Sequence, residues 1–225
     1  MDDRTQRILD IVVNSFLPLL KAGVEFTVPL ALISFALGLV VALLAALARL
    51  SGNRVLSGIA RFYVWIIRGT PLLVQLFIIF YGLPSIGLTL GAFPSAVIGF
   101  TLSVGAYGSE IIRAAIQSIA RGQWEAAYSV GMTYSQALRR IVIPQATRVA
   151  VPPLANSFIS LIKDTSLAAA ITMTELFRVA QQITATTYEP LVLYSEAAVI
   201  YLIFSTVLSW VQGWLENRFS RHVAK

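Results

Sequence analysis

Cysteine is absent from this sequence of 225 residues, and histidine occurs once, as His222. The first absence excludes disulfides, thiolate metal sites and a cysteine nucleophile; the second leaves no histidine pair for a metal site or an acid–base couple. His222 reads as a solvated residue of the tail. Lysine is scarce too, and none of Lys21, Lys163 and Lys225 follows a glycine. The Gly-Lys-Ser/Thr of a nucleotide-binding loop is therefore missing, so the chain does not bind ATP by that route. No cofactor is expected, and no catalytic constellation is visible. Charge itself is thin, at 12% of residues, against 57% hydrophobic residues and a mean hydropathy of +0.76. That balance lies far outside the range of soluble domains and marks an integral membrane protein.

A bilayer core of about 30 Å is crossed by about 20 helical residues, so long charge-free runs carry the information. One lies at 26–48, between Glu25 and Arg49. A second, 69–109, is too long for one span and is divided by the turn-rich GLPSIGLTLGAFPS at 82–95. Another is 197–215, between Glu196 and Glu216. The run 149–162 is short and holds Pro152, Pro153, Asn156, Ser157 and Ser160, the mark of a short or interrupted span. These patterns predict an all-α membrane protein of about five transmembrane helices, forming one domain over residues 1–225. Residues 1–22 begin with acidic groups where a cleaved signal would be basic, so they are expected to stay attached as an interfacial segment.

Five spans place the termini on opposite sides, and the basic residues decide the orientation. With the N-terminus outside, the inner segments hold Arg49, Arg54 and Arg61, then the group from Arg113 to Arg148, then Arg218, Arg221 and Lys225. Fewer basic residues remain outside: Arg4, Arg7, Lys21, Lys163 and Arg178. The net charge of +6 thus reads as topology, with no nucleic-acid partner.

That orientation puts RGQWEAAYSVGMTYSQALRRIVIPQ, residues 121–145, on the cytoplasmic side between the third and fourth spans. The segment has structure of its own. Gln123 to Val130 can form two helical turns, and Gly131 suits the left-handed conformation just past a helix end. Thr133 followed by Gln136 has the capping-box spacing and predicts a second short helix, while Pro144 reads as the first-turn proline of the next span. On these residues alone the loop is either a docking surface or a connector lying on anionic lipid, with Arg139 and Arg140 at the headgroups.

The stretch EAAYSVGMTYSQALRRIVIPQA resembles the EAA loop of ATP-binding-cassette importer permeases, through Glu125, Ala126, Ala127, Gly131, Ile141 and Pro144. RGTPLLVQLF at 68–77, AYGSEIIRAAI at 106–116 and NSFISLIKDTSLAA at 156–169 resemble the polar-amino-acid branch (histidine, glutamine and arginine type) of that family. Within it the likeness is nearest to the permeases of bacterial cystine importers, over about residues 60–210. The resemblance implies that the coupling loop, 121–143, sits in a groove of a separate cytosolic ATPase subunit and transmits its closure to the spans. It further implies an extracytoplasmic amino-acid-binding protein as donor, a bacterial inner membrane as location, and L-cystine or a similar polar amino acid as cargo. Five spans are too few to enclose a pathway, so a second copy of the chain, or else a homologous subunit, is expected to complete it. The alternative is a nucleotide-independent secondary carrier or channel, to which the loop would be dispensable.

A conduit needs polar groups within the membrane, where a centred charge costs about 2.5–3.5 kcal/mol on insertion scales. LIKDTS, residues 161–166, places Lys163, Asp164 and Thr165 where a short span gives way to the apolar SLAAAITM. A helix break there would use backbone ends to hold charged substrate groups; the other reading is a span end at the outer surface. Asn156 and Ser160, four residues apart, would line the same route. Elsewhere, Thr70-Pro71 predicts the junction of two helical segments, and Glu110 and Arg113 have the spacing of a one-turn ion pair.

Overall fold

The computed structural model describes residues 3–220, with residues 215–220 by backbone alone. His222 and Lys225 lie outside the described residues. All regular structure among the described residues is helical, as the hydropathy pattern requires of a chain whose backbone must satisfy itself in lipid.

The helices are α1 (Asp3–Ala22), α2 (Val28–Leu50), α3 (Arg54–Gly69), α4 (Leu72–Phe77), α5 (Ala92–Gln117), α6 (Arg121–Ser129), α7 (Tyr134–Ala137), α8 (Ile143–Asp164), α9 (Leu176–Thr187) and α10 (Pro190–Ser220). A π-helical turn, Gly23–Thr27, joins α1 to α2 without a break, so the N-terminal segment is continuous with the first span. α3 ends at Thr70 and α4 begins after Pro71, since proline excludes the helical conformation of the residue before it.

Three stretches are long and apolar enough to cross a membrane: 3–50, 92–117 and 190–214. α3 and 72–86 meet the same test of length and composition only when taken as one bent pair, a broken span or a re-entrant loop. Exposed Leu32, Leu37, Val40 and Leu44 on α2, and Leu202, Trp210 and Trp214 on α10, present the apolar surface that lipid would cover.

The chain divides into two compact units, to both of which α2, α5, α8 and α10 contribute. Unit 1 comprises, of the described residues, 3–36, 71–100 and 159–209. Its core gathers Leu19 of α1, Leu176 and Ala180 of α9, and Ala197 and Ile200 of α10. Polar ties fix the same helices. Ser15 donates to Glu196, and the backbone N–H of Leu176 donates to Thr27 Oγ1 at 3.4 Å. The buried Glu175 caps α9, accepting from the N–H groups of Phe177 and Arg178 at 2.9 and 2.7 Å and from the Tyr201 hydroxyl at 2.7 Å.

Unit 2 comprises, of the described residues, 37–70, 101–158 and 210–220. Ala115 and Ile116 of α5 pack against Val142, Ala146 and Ala150, with Leu50, Trp124, Leu138 and Leu154 around them. Gly105 permits the closest approach: a Cβ there would stand 2.5 Å from the Tyr63 hydroxyl and 2.6 Å from Val41.

Candidate functional site

The polar segment after α5 folds in unit 2 as two short helices about one glycine. Gly131 has φ +78°, the left-handed value that side chains disfavour. The N–H of Met132 bonds to the carbonyl of Ala127 at 3.1 Å and that of Gly131 to Tyr128 at 2.9 Å, the paired bonds of a Schellman ending. Thr133 Oγ1 accepts from the N–H of Gln136 at 3.3 Å and Gln136 accepts from the N–H of Thr133 at 2.9 Å, closing the capping box. Gln145 reaches back to Gln123 at 3.0 Å, tying the start of α8 to α6.

Pro144 does not begin a helix afresh. A π-helical turn, Leu138–Val142, joins α7 to α8, and the run is helical from Tyr134 to Asp164. Proline offers no N–H to the carbonyl one turn back, and a widened turn absorbs that loss. Pro152 and Pro153 likewise sit inside α8 without interrupting it.

The hairpin presents Glu125, Ala126, Tyr128, Val130 and Tyr134 outward, whereas Ala127 is buried. Glu125 makes no side-chain hydrogen bond or ion pair among the described residues. Beside it lies a groove of about 440 Å³ lined by Leu50, Gln117, Arg121, Trp124, Tyr128 and Tyr134. Exposed apolar and aromatic groups on a polar loop, beside a carboxylate that no described residue pairs, make a surface suited to a protein partner.

Unit 2 also holds a cluster that only in part follows from sequence spacing. Glu110 pairs with Arg113 at 2.7 Å, as its i, i+3 position predicts. It also pairs with Arg49, the penultimate residue of α2, and with Arg68 of α3 at 3.4 Å. Arg68 further stands over the Tyr107 ring, 5.3 Å from its centroid. Three guanidinium groups thus converge on one carboxylate and bind α2, α3 and α5 together.

The residues expected along a substrate route divide between the units. Asn156 lies in unit 2, exposed, with its amide unpartnered among the described residues. In unit 1, Ser160, Lys163 and Asp164 are exposed and Thr165 is buried, its hydroxyl donating to Ile162 at 2.6 Å. The α-helix gives way to a 3₁₀ helix, Thr165–Ile171, directly after Asp164. Lys163 and Asp164 form no ion pair, because successive helical residues diverge by about 100°. Lys163 instead lines a groove of about 510 Å³ with Ser166, Phe177, Tyr194, Tyr201 and Ser205.

A sequence family described as "binding-protein-dependent transport system inner membrane component" matches residues 38–221. The chain belongs to this family. The matched span of this inner membrane component encloses the hairpin, the Glu110 cluster and the Lys163 groove. The chain is 56% identical over 217 residues to the L-cystine transport system permease protein TcyB of Bacillus subtilis (strain 168), covering 96% of this chain and 93% of that one. It is 44% identical to the nopaline transport system permease protein NocM of Agrobacterium fabrum (strain C58 / ATCC 33970), over 89% of this chain and 87% of the other. A crystal structure of an amino acid ABC transporter with histidines superposes with a TM-score of 0.87 at 35% identity, over 92% of this chain and 96% of that one.

Proposed function

We propose that this inner membrane component is the permease subunit of an ATP-driven amino-acid importer and that its cargo is L-cystine. The observation that carries the transport reading is the Gly131 hairpin, two rigidly capped helices whose outward face holds an unpaired Glu125. Such a surface suits a protein partner, and the chain lacks a nucleotide loop of its own. An ATPase subunit supplies both needs. The cystine assignment is supported by the 56% identity, across 96% of this chain, with a permease of an L-cystine transport system.

In this reading Glu125, Ala126, Ala127, Gly131 and Pro144 belong to the coupling surface, and an extracytoplasmic binding protein delivers the amino acid. Asn156, Ser160, Lys163, Asp164 and Thr165 contribute to its route. Five spans within one permease domain, N-terminus outside and C-terminus in the cytoplasm, cross a bacterial inner membrane, and a second copy completes the conduit. Purification with the native partners, followed by a screen of amino acids for stimulation of ATP hydrolysis, tests it. Stimulation by cystine above other amino acids is expected. Equal stimulation by glutamine or arginine rejects the cargo, and hydrolysis indifferent to every amino acid rejects the importer.

A further inference from the structure

α3 sorts its residues into three sectors, whereas a helix crossing a bilayer beside other spans meets only two environments, protein and acyl chains. At about 100° per residue, Ser57, Ala60 and Val64 form one narrow stripe, and all three are buried. Val55, Ile59 and Phe62 form a second face, 70%, 64% and 60% exposed, and Trp65, 69% exposed, stands at its border with the arginines. Arg54, Arg61 and Arg68 recur every seven residues and so drift by only about 20° per step, making a third.

The arginine stripe decides how the helix lies. Upright, α3 would carry its ends about 24 Å apart in depth and hold Arg61 halfway down in hydrocarbon. Lying in the interface, it holds all three arginines at one depth, with the apolar face toward the acyl chains. Contacts within unit 2 agree. Ser57, near the start of α3, donates to the carbonyl of Arg49 at 3.3 Å, while Arg68, in its last turn, reaches the same Glu110 carboxylate that Arg49 grips. The first end of α3 is thus tied to Arg49 directly and the last by way of Glu110.

Arg68 is engaged by Glu110, but Arg54 and Arg61 are exposed and make no hydrogen bond or ion pair among the described residues. We propose that α3 lies in the headgroup plane and that Arg54 and Arg61 form a site for an anionic phospholipid, its phosphate held by the guanidinium pair and its chains by the face of Val55, Ile59 and Phe62. Guanidinium suits phosphate because its planar donors match the oxygens in pairs. In the orientation proposed above, the site faces the cytoplasmic leaflet, whose anionic lipids attract such residues. The site does not depend on which amino acid is carried.

Trp65 reports on this site directly. The full chain, with Trp124, Trp210 and Trp214 replaced by Phe, would be reconstituted in vesicles containing brominated phosphatidylglycerol or brominated phosphatidylcholine. Brominated phosphatidylglycerol is expected to quench Trp65 at the lower mole fraction, with bromine near the headgroup more effective than bromine at the chain end. Arg54→Gln with Arg61→Gln should reduce the preference by roughly fivefold or more. Arg61→Lys, which keeps the charge, should retain most of it and serves if the double variant does not fold. Equal quenching by the two lipids in the unreplaced arginine background, or strongest quenching by bromine at the chain end, overturns the proposal. So does relief of the quenching by inorganic phosphate beyond that of chloride at matched ionic strength, which would assign a soluble anion. Failure of the importer reading would leave these readouts unchanged.

Discussion

Trp124 and Tyr134 stack across the turn at Gly131, their ring centroids 5.5 Å apart and their planes 15° from parallel. The stack, the Schellman bonds and the capping box fix one mutual angle between α6 and α7. Rigidity is what a surface that transmits force requires. Gly131→Val forces a branched side chain into φ +78° at a cost of about 1–2 kcal/mol and spoils that angle. The variant should insert normally yet lose transport and substrate-stimulated ATP hydrolysis, and Glu125→Ala should uncouple likewise. Full activity in both returns the loop to a connector on lipid and favours a nucleotide-independent carrier.

Glu110 is predicted to matter more to stability than any one of its arginines. Its removal leaves three guanidinium groups facing one another, whereas loss of Arg68 leaves two other partners in place. With the Glu110 side chain 21% exposed, the expected cost of Glu110→Ala lies between the ~0–1 kcal/mol of a surface pair and the ~3–5 kcal/mol of a fully buried one. Thermal unfolding in detergent, followed by size-exclusion chromatography, should rank Glu110→Ala well below Arg68→Gln. Equal midpoints would mean that the cluster does not bind α2, α3 and α5 together.

The legibility of the chain follows the range of its interactions. Gly131, the Thr133–Gln136 box and the Thr70-Pro71 break were readable because each depends on neighbours within four residues. The grip of Arg49 and Arg68 on Glu110 was not, since its partners come from three helices, although a lone carboxylate in a long apolar run was a signal that something must neutralise it. Pro144 does fall in the first turn of α8, but the π turn that joins this helix to α7 leaves no trace in the local pattern. Glu175 was missed because glutamate is an uncommon cap; the lone acid in TELF, just before a new helical period, was the available clue. That Lys163 and Asp164 point apart follows from their adjacency, since successive helical residues cannot face each other, but the groove that Lys163 enters is built from α9 and α10 and is not visible in the local pattern.

Glu175 gives a pH dependence. Burial pushes its carboxyl above the usual carboxylate range, against the lowering effect of hydrogen bonds from Phe177, Tyr201 and Arg178. A carboxyl raised in the folded state contributes stability that is full below its unfolded value and is lost as pH rises through the folded one. The thermal midpoint of the wild type should therefore fall across that window relative to Glu175→Gln, which cannot ionise. Parallel pH profiles for the two proteins would remove Glu175 as the source.

Orientation is tested by single cysteines in a chain that has none of its own. Cysteine at Thr5 should react only with reagents applied from outside, and cysteine at Ser220 only from the cytoplasmic side. Labelling of both from one side would sink the five-span arrangement.

Lys163 and Asp164 should separate in their effects, because they diverge on the helix and only Lys163 lines the groove with Tyr194 and Tyr201. An ammonium beside aromatic rings and hydroxyls suits a substrate carboxylate, so Lys163→Met should weaken uptake by raising the concentration needed for half-maximal rate. Asp164 lies at the change from α to 3₁₀ helix, free of any ion pair with Lys163. Its carboxylate is suited to a substrate ammonium, and Asp164→Asn keeps the shape while removing the charge. Uptake should be abolished in that variant, with assembly and basal ATP hydrolysis retained in the same membranes. Wild-type uptake by Asp164→Asn would place the residue at the surface, outside the route, and a joint loss of uptake, assembly and basal hydrolysis would make its role structural.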